Sequence, residues 1–337
     1  MHRDLIVIGA SAGGIETLQN LLGRLPSDLP AAILVVLHTS GRSSSLLPQI
    51  LGRSTRLKTS HPQDGTRIRH GLVYIAPPDF HMLVQGNRIR VLQGPRENLH
   101  RPAIDPLFRS AALSAGRRVI AVVLTGMLDD GTSGLMVVKA HGGIPIVQDP
   151  QSAMFSAMPR NALEQVPEAR VLPLETIPAE LVRLVREEIP VPQESAAHPG
   201  SLEDKETRLL EMEMPQLEND ERPGQPSAFA CPDCGGVLWE LEENGFLRFR
   251  CRVGHAFTAR HLTVEQQHAI ETALWSALRA LEESSGLYKR LAERSTGFGH
   301  IESAEQYRDR ANNTEQNARV LREFLVHVHE GADEAAD

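Results

Sequence analysis

Four polar side chains in the first half of the chain have the chemistry needed for nucleophilic catalysis. Ser11 is the central residue of a G-x-S-x-G segment, and His38 and the pair Asp129 and Asp130 each follow an apolar run. A serine hydroxyl becomes an effective nucleophile when a neutral imidazole takes its proton, and a carboxylate on the other ring nitrogen fixes the tautomer. The residue types therefore predict a hydrolase triad of Ser11, His38 and one of the two aspartates.

The apolar runs before these residues are predicted to be strands of a parallel sheet. Leu5–Ile8 precedes Ser11, Ala31–Leu37 precedes His38, and Arg118–Leu124 precedes the aspartates. Runs rich in β-branched residues that alternate with helical patterns are typical of a parallel sheet covered by helices. Ligands bind at the carboxyl edge of such sheets, so all of these polar side chains can meet there.

The same residues have simpler explanations. Ser11 could cap the helix that follows it, a lone histidine is more often structural, and aspartates beside Gly131 usually form turns. A nucleotide-binding glycine turn is a further alternative, although Ser11 stands where the G-x-G-x-x-G pattern requires its middle glycine.

The predicted fold class is α/β, a doubly wound, mostly parallel sheet with helices on both faces, followed by a small zinc-ribbon-like module and a C-terminal helical hairpin. Shorter strands are predicted at Gly71–Ala76 and Arg88–Leu92, which could pair as a hairpin, and at Gly143–Gln148. The predicted helices of this region are Ile15–Leu25, Ile104–Ala115, Ser133–Ala140, Asn161–Gln165 and Pro178–Glu187.

Several motifs, taken in order, resemble the catalytic domain of chemotaxis methylesterases of the CheB type over about the first 185 residues. They are Gly9-Ala10-Ser11-Ala12-Gly13-Gly14, Val35-Val36-Leu37-His38, Leu124-Thr125-Gly126-Met127 with Asp130-Gly131, and Met158-Pro159-Arg160. Further support comes from Val73-Tyr74-Ile75-Ala76-Pro77-Pro78 and from the stretch that begins at Arg101-Pro102 and ends at Leu107-Phe108.

The resemblance implies the roles of individual residues. Ser11 would be the nucleophile, His38 the general base and Asp130, which directly precedes the glycine, its orienting carboxylate. Met127 would offer its backbone N–H to the oxyanion, and Ala12 and Gly126 are expected at the same oxyanion or substrate-binding position. The implied reaction, which needs no catalytic cofactor, removes methyl esters from glutamate side chains of chemoreceptors, and some members also deamidate glutamine.

This sequence departs from the family pattern in three ways. It starts at the catalytic strand, so we expect the control exerted by the family's N-terminal receiver domain to be absent, replaced or supplied in trans. Ala12 stands where a threonine is common. The family's usual domain has no cysteine-bearing tail.

That tail contains all three cysteines of the chain, in the halves Cys231-x2-Cys234 and Cys251-x3-His255. Two knuckles around a hairpin predict a zinc ribbon with Cys231, Cys234, Cys251 and His255 as ligands. Asp233 and His261 are weaker substitutes, and reduced cysteines in a small core are the alternative. Because four protein ligands leave no place for substrate, we assign this site to folding or docking.

The composition predicts four segments. These are the catalytic domain at 1–188, a partly disordered linker rich in Pro, Glu, Gln and Ser at 189–227, the ribbon at 228–262, and a helical hairpin or coiled coil at 263–330. The hairpin prediction includes Ile270 and Ile301 in its apolar stripes, and leaves open whether the helices pair within the chain or across a dimer.

The net charge of −8 argues against a nucleic-acid partner, and no apolar run has the roughly 20 residues that span a bilayer. Reduced cysteines and the lack of an export signal favour the cytoplasm. The expected partner is a methylated chemoreceptor or similar signalling protein, with the tail docking to a methyltransferase or sensor. The competing hypothesis is a catalytically idle signalling adaptor.

Overall fold

A seven-stranded parallel sheet forms the centre of the first region. The computed structural model describes residues 1–38, 46–189, 224–243 and 245–333. The strand order is β3-β4-β2-β1-β7-β8-β9. Its strands are β1 (Leu5–Ala10), β2 (Ala32–Leu37), β3 (Lys58–Ser60), β4 (Leu72–Ile75), β7 (Val119–Val123), β8 (Ile144–Gln148) and β9 (Arg170–Leu172).

Helices cover both faces of this sheet. They are α1 (Gly14–Gly23), α2 (Leu47–Gly52), α3 (Ile104–Ala115), α4 (Thr132–Ala140), α5 (Ala157–Gln165) and α6 (Ile177–Arg186). Successive strand residues point to opposite faces, so Leu5 and Val7 join one buried cluster and Ile6 and Ile8 join the other. Helices α3, α4 and α5 pack on the first cluster, and α1, α2 and α6 on the second. The predicted doubly wound α/β fold is confirmed.

The predicted pairing of Gly71–Ala76 with Arg88–Leu92 is wrong. Leu72–Ile75 pairs in parallel with β2 and β3, because its apolar residues are buried inside the main sheet. Arg88–Leu92 (β6) instead pairs with β5 (His81–Gln85), a strand that the sequence analysis missed, in a separate antiparallel hairpin. Strands β3 and β9 and helix α2 were also not predicted.

A four-stranded antiparallel sheet follows in the chain. It consists of β10 (Gln225–Ala230), β11 (Val237–Glu243), β12 (Phe246–Cys251) and β13 (Ala256–Thr258). We call residues 224–262 the β-module. It belongs to the same compact unit as the α/β region, Met1–Leu262. Apart from its ends, the predicted linker 189–227 lies outside the described residues.

The second compact unit, Thr263–Asp337, consists of two long helices. Helix α7 (Ala259–Gly297) begins within the β-module, and α8 (Ile301–Asp333) follows. The two pair within the chain, as Ser285 donates to the Ala311 carbonyl at 3.2 Å. Buried residues recur every seven positions, at Leu278, Ser285 and Ala292 and at Ala304, Ala311, Ala318 and Leu325.

The helical hairpin is therefore confirmed, but Ile270 and Ile301, which we placed in its apolar stripes, are 60% and 57% exposed. Within the described part of the chain, no helix combines the length and apolar character that crossing a bilayer requires.

Candidate active site and metal centre

Ser11 lies in the turn between β1 and α1, and its hydroxyl is not used to cap the helix. The cap position is Gly13, which has φ of 71° and makes no side-chain capping hydrogen bond. The left-handed backbone of this turn thus falls on a glycine, which adopts it without steric cost, and Ser11 does not have a positive φ. The Ser11 amide donates to the Thr125 carbonyl at 3.0 Å, which holds the turn against the segment after β7.

His38 contacts both other predicted triad residues. Its backbone amide continues the β1–β2 ladder by donating to the Ala10 carbonyl at 3.1 Å, which fixes the residue at the carboxyl end of β2. Its Nδ1 lies 3.2 Å from the Ser11 hydroxyl oxygen, and its Nε2 lies 2.7 Å from Oδ2 of Asp130. An ionised Asp130 can only accept, so the ring proton lies on Nε2 and the Nδ1 lone pair faces the serine.

Asp130 is fully buried and is held by several donors. Its oxygens accept from the Ile104 amide at 2.7 Å, from the Asp105 amide at 3.3 Å and from the Asn98 side chain at 2.8 Å. The two amides belong to the first turn of α3, where the helix dipole favours an anion. Burial raises the pKa of Asp130, but hydrogen bonds from His38, Ile104 and Asn98 outweigh it and hold that pKa well below its usual range. The carboxylate is therefore ionised beside His38.

The neighbouring Asp129 has a different partner. Its Oδ1 lies 2.8 Å from Nδ1 of His261 and accepts from the Thr258 hydroxyl at 2.7 Å. Thr258 belongs to a strand at the end of the β-module, and His261 lies in the first turn of α7. The structure thus separates two adjacent aspartates that the residue pattern alone could not: Asp130 meets His38, and Asp129 meets His261. His261 takes no part in the cysteine cluster.

The residues expected to bind an oxyanion lie beside Ser11. They differ in whether their backbone N–H groups already donate a hydrogen bond. The Gly126 amide donates to the Phe155 carbonyl at 3.0 Å, so it is engaged. A Cβ on Gly126 would come within 2.9 Å of the Ser11 Cβ, so this glycine lets its loop approach the nucleophile closely. The amides of Met127 and Ala12 have no acceptor among the described residues. They remain available to a substrate oxygen.

The segments that frame Ser11 are joined by Thr125. Its hydroxyl donates to the Ala12 carbonyl at 3.1 Å and accepts from the Phe155 amide at 2.9 Å. Around this junction the apolar side chains of Met127 and Met154 are exposed by 58% and 65%. The rim beside the nucleophile is therefore apolar.

His100, which the sequence analysis did not single out, stacks on the predicted base. The rings of His100 and His38 have centroids 3.6 Å apart and an interplanar angle of 21°. Burial and the neighbouring His38 lower the pKa of His100 to about 3. The stacked ring is therefore neutral and fixes the plane of His38 without adding charge. Only the spacing Asn98-Leu99-His100 before the Arg101-Pro102 motif could have drawn attention to it.

Asp105 is a second buried carboxyl within this network. It accepts from Asn98 at 2.8 Å and from the Gly134 amide at 2.6 Å. Burial and the charge of Asp130 raise the pKa of Asp105 well above its ordinary value, which favours its protonated form. Of the two carboxyl groups that bind the Asn98 side chain, the negative charge thus lies on Asp130.

The four predicted metal ligands converge in the β-module. The ligand atoms of Cys231, Cys234, Cys251 and His255 all lie within 4.8 Å of one another. The sulfurs of Cys234 and Cys251 are 3.7 Å apart, and Nδ1 of His255 lies 3.7 Å from Cys231 and 3.5 Å from Cys251. Tetrahedral zinc with ordinary bond lengths would separate two sulfurs by about 3.8 Å and a sulfur from a nitrogen by about 3.5 Å. These three separations fit this geometry.

The cysteines are free thiols, since a disulfide needs sulfurs about 2.05 Å apart. Hydrogen bonds from Cys231, His255 and Cys234 lower the pKa of Cys251 to about 3. This favours the thiolate of Cys251, the form of cysteine that binds zinc. Asp233, considered as a substitute ligand, lies 3.9 Å from the other nitrogen of His255.

Comparison with known proteins places residues 6–181 in the family described as CheB methylesterase. A Leptospira interrogans protein named for protein-glutamate methylesterase and protein-glutamine glutaminase activity is 37% identical over 185 residues, which cover 55% of the chain and 96% of the relative. A Pseudomonas aeruginosa protein-glutamate methylesterase/protein-glutamine glutaminase 2 is 39% identical over 183 residues, 53% of the chain and 52% of the relative. The crystal structure of the Thermotoga maritima CheB methylesterase catalytic domain is 35% identical and is covered completely by 55% of this chain, with a TM-score of 0.52.

Proposed function

Because the chain belongs to the CheB methylesterase family, we propose that it hydrolyses methyl esters of glutamate side chains on chemoreceptor-type proteins through Ser11, His38 and Asp130. The observation that carries the proposal is the continuous contact from the Ser11 hydroxyl through both ring nitrogens of His38 to Asp130. These contacts match the path along which a serine nucleophile is activated.

The reaction would proceed in two steps. The Ser11 oxygen attacks the ester carbonyl while Nδ1 of His38 takes the hydroxyl proton, and the same nitrogen then returns that proton to the departing methanol. Water, deprotonated by His38, next hydrolyses the acyl-serine to the glutamate carboxylate. The Met127 and Ala12 amides are the donors for the oxyanion of both tetrahedral intermediates, and one such donor can lower the barrier by about 3 kcal/mol. With glutamine as substrate, ammonia leaves in place of methanol.

The test is methanol release from membranes that contain methylated chemoreceptors. Ser11→Ala should lower the rate by orders of magnitude, while Ser60→Ala, which changes an exposed serine at the end of β3, should leave it unchanged. A fluorophosphonate should label the wild-type chain but not Ser11→Ala. Labelling without methanol release would reject the substrate, and no labelling would favour the idle adaptor.

We also infer that Cys231, Cys234, Cys251 and His255 hold one structural zinc ion. The support is the fit of the sulfur and nitrogen separations to a zinc tetrahedron, together with a small core of six buried apolar residues. A zinc ion supplies folding free energy to modules of this size. Elemental analysis of the purified full chain should give one zinc per chain, and Cys234→Ser should lower this ratio. A ratio near zero in the wild type would reject the site.

A further inference from the structure

The loop Glu97–His100 has a backbone that its own residues do not favour. Asn98 and Leu99 have φ of 50° and 68°, in the left-handed region, which asparagine tolerates but leucine rarely adopts. The turn is closed by hydrogen bonds between the backbones of Glu97 and His100, at 3.3 and 3.0 Å. Such conformations persist only where the surroundings hold them. The contacts that hold this loop therefore determine where its side chains lie.

On one side the loop contacts the triad. The Asn98 side chain donates to Oδ1 of Asp130 at 2.8 Å, and the His100 ring stacks on His38 at 3.6 Å. The loop thus orients both the carboxylate and the imidazole of the proposed hydrolase site.

On its other side the same loop contacts the β-module. The Asn98 amide donates to the Ala256 carbonyl at 2.8 Å, and the Asn98 side-chain oxygen accepts from the Thr258 amide at 3.0 Å. Leu99 packs into the buried apolar cluster that contains Cys231 and Cys251. One asparagine side chain therefore joins the triad carboxylate to a strand of the metal-binding module.

A buried ion pair connects the loop to the second metal knuckle. Arg250, which directly precedes Cys251, donates to Glu97 at 2.6 Å and to the Gly254 carbonyl at 3.0 Å. Glu97 also accepts from Arg109 of α3 at 3.0 Å. All three charged side chains are almost fully buried, so separating them would leave a charge without compensation. The knuckle Cys251–His255 and the loop therefore have to keep a fixed relative position.

A further contact ties the β-module to the segment that carries Asp130. The Thr258 hydroxyl donates to Asp129 at 2.7 Å, and His261 lies 2.8 Å from the same oxygen. The ring of His261 also meets that of His100 edge-on, with centroids 6.3 Å apart. The module thus holds both chain segments that position the catalytic carboxylate.

We propose that the β-module is a positioning element of the hydrolase site, and that Asn98 and Thr258 transmit the conformation of the metal-bearing knuckle to Asp130 and His38. This rests on the proposed function of Ser11, His38 and Asp130. The sequence predicts a role of the metal cluster in folding or docking, and the proposal adds a dependence of catalysis on the module.

The experiment uses the full chain and compares Asn98→Ala and Thr258→Val with the control Arg260→Ala. Arg260 makes an exposed ion pair with Glu164 of α5 at 2.7 Å, and its described hydrogen bond and ion pair do not involve the loop. The rate of fluorophosphonate labelling of Ser11 and the kcat of methanol release should fall about 10- to 100-fold in Asn98→Ala, as is typical when a side chain that orients a functional residue is removed. Thr258→Val removes the hydroxyl bound to Asp129 but keeps the backbone amide bound to Asn98, so both rates should fall by a smaller factor. KM should stay constant, and Arg260→Ala should behave as the wild type.

A pH profile separates positioning from general destabilisation. Without the hydrogen bond from Asn98, Asp130 becomes a stronger acceptor and favours the protonated ring of His38. Hydrolysis needs the neutral ring, so the acidic limb of kcat against pH should move to higher pH in Asn98→Ala. A less stable variant can also lose activity in acid by unfolding, so the limb is compared only over the pH range in which circular dichroism shows both proteins to be folded.

Metal removal provides a second measurement in case the variants fold poorly. Treating the wild type with a chelator, with the residual zinc measured, should slow labelling of Ser11, and adding zinc should restore it. Unchanged labelling in the two variants and in the chelated protein would overturn the proposal. Labelling requires no methylated receptor, so wild-type protein that labels at Ser11 but releases no methanol refutes the proposed substrate without affecting this test.

Discussion

The α/β region and the β-module each bring polar side chains from distant parts of the chain together, but by different means. Ser11, His38 and Asp130 follow strands β1, β2 and β7, in which every residue is buried. The four proposed metal ligands lie in knuckles of a sheet whose buried apolar cluster has six described residues, two of them cysteines from the site itself. The first site is positioned by a large core. In the second site, two of the proposed ligands themselves belong to the small core.

The two regions should therefore respond differently to the loss of a single component. A parallel sheet with two extensive buried clusters retains its geometry when one polar side chain is changed. A module with a small core has few buried contacts to hold its geometry after such a loss, because the apolar area that a domain buries increases with its size.

The largest effect is expected from metal removal. In small zinc modules the metal contributes about 10 kcal/mol or more to folding, so chelation should expose the backbone amides of β11 and β12 to hydrogen exchange. The amides of β1 and β7 should stay protected, because their burial does not depend on a ligand. Equal loss of protection in both sheets would show that the two regions fold as one unit, and unchanged protection would show that the module needs no metal.

The next largest effect concerns the two adjacent aspartates. Asp130→Asn should lower kcat about 10⁴-fold, because an amide can present an N–H to Nε2 of His38 and stabilise the wrong tautomer. Asp129→Asn is the matched change one residue away and contacts His261 instead, so its effect should be far smaller. Stopped assays of methanol release on both variants measure the ratio. Similar losses in both would contradict the assignment of Asp130.

A smaller effect is expected from acid. Burial lowers the pKa of His81, in the α/β region, to about 4. The unfolded chain takes up this proton first, near pH 6.5, so the stabilisation is complete above that pH and is lost as the pH falls towards 4. Between pH 6.5 and 5 this histidine alone should reduce the free energy of unfolding by about 1 to 2 kcal/mol.

Urea denaturation at the two pH values measures this change. His81→Gln keeps a donor for the Pro95 carbonyl but cannot be protonated, so its loss of stability with acid should be smaller. The control is His268→Gln, at an exposed position of α7. If the wild type and His81→Gln lost the same free energy of unfolding between the two pH values, His81 would not be the group responsible.

The smallest effect is expected where the two regions meet at the surface. The side chains of Arg260 and Glu164 are 53% and 47% exposed, and such pairs contribute less than about 1 kcal/mol. Arg260→Ala should therefore change the urea midpoint only slightly, and less still in high salt. A loss of several kcal/mol would show that this contact, and not the buried loop, joins the regions.

Much of the fold could be predicted because local patterns determine it. The runs at β1, β2 and β7 are continuous apolar segments, and each was found within one or two residues. β5 was missed because its sequence, His81-Met82-Leu83-Val84-Gln85, follows a Pro/Asp turn and has only three apolar residues between two polar ends. The wrong pairing of β4 with β6 has the same origin, since a run of four or five residues does not reveal which sheet it joins.

The triad could be proposed from strand ends and motifs, and its geometry agrees with that proposal. The surrounding residues could not. Asn98, His100, Thr258 and His261 owe their positions to contacts over separations such as the 160 residues between Asn98 and Thr258. No periodicity encodes which surface of one region receives another, so the docking of the β-module against the loop had no signal in the sequence.

The Thr125 hydroxyl, which is bonded to the Ala12 carbonyl and the Phe155 amide, has a consequence for how tightly an ester can be held. Loops that are crosslinked in this way lose their conformational entropy when the chain folds and not when a ligand arrives. An incoming ester then binds to loops that are already ordered, so little of its interaction free energy is offset by the entropy lost on ordering the enzyme.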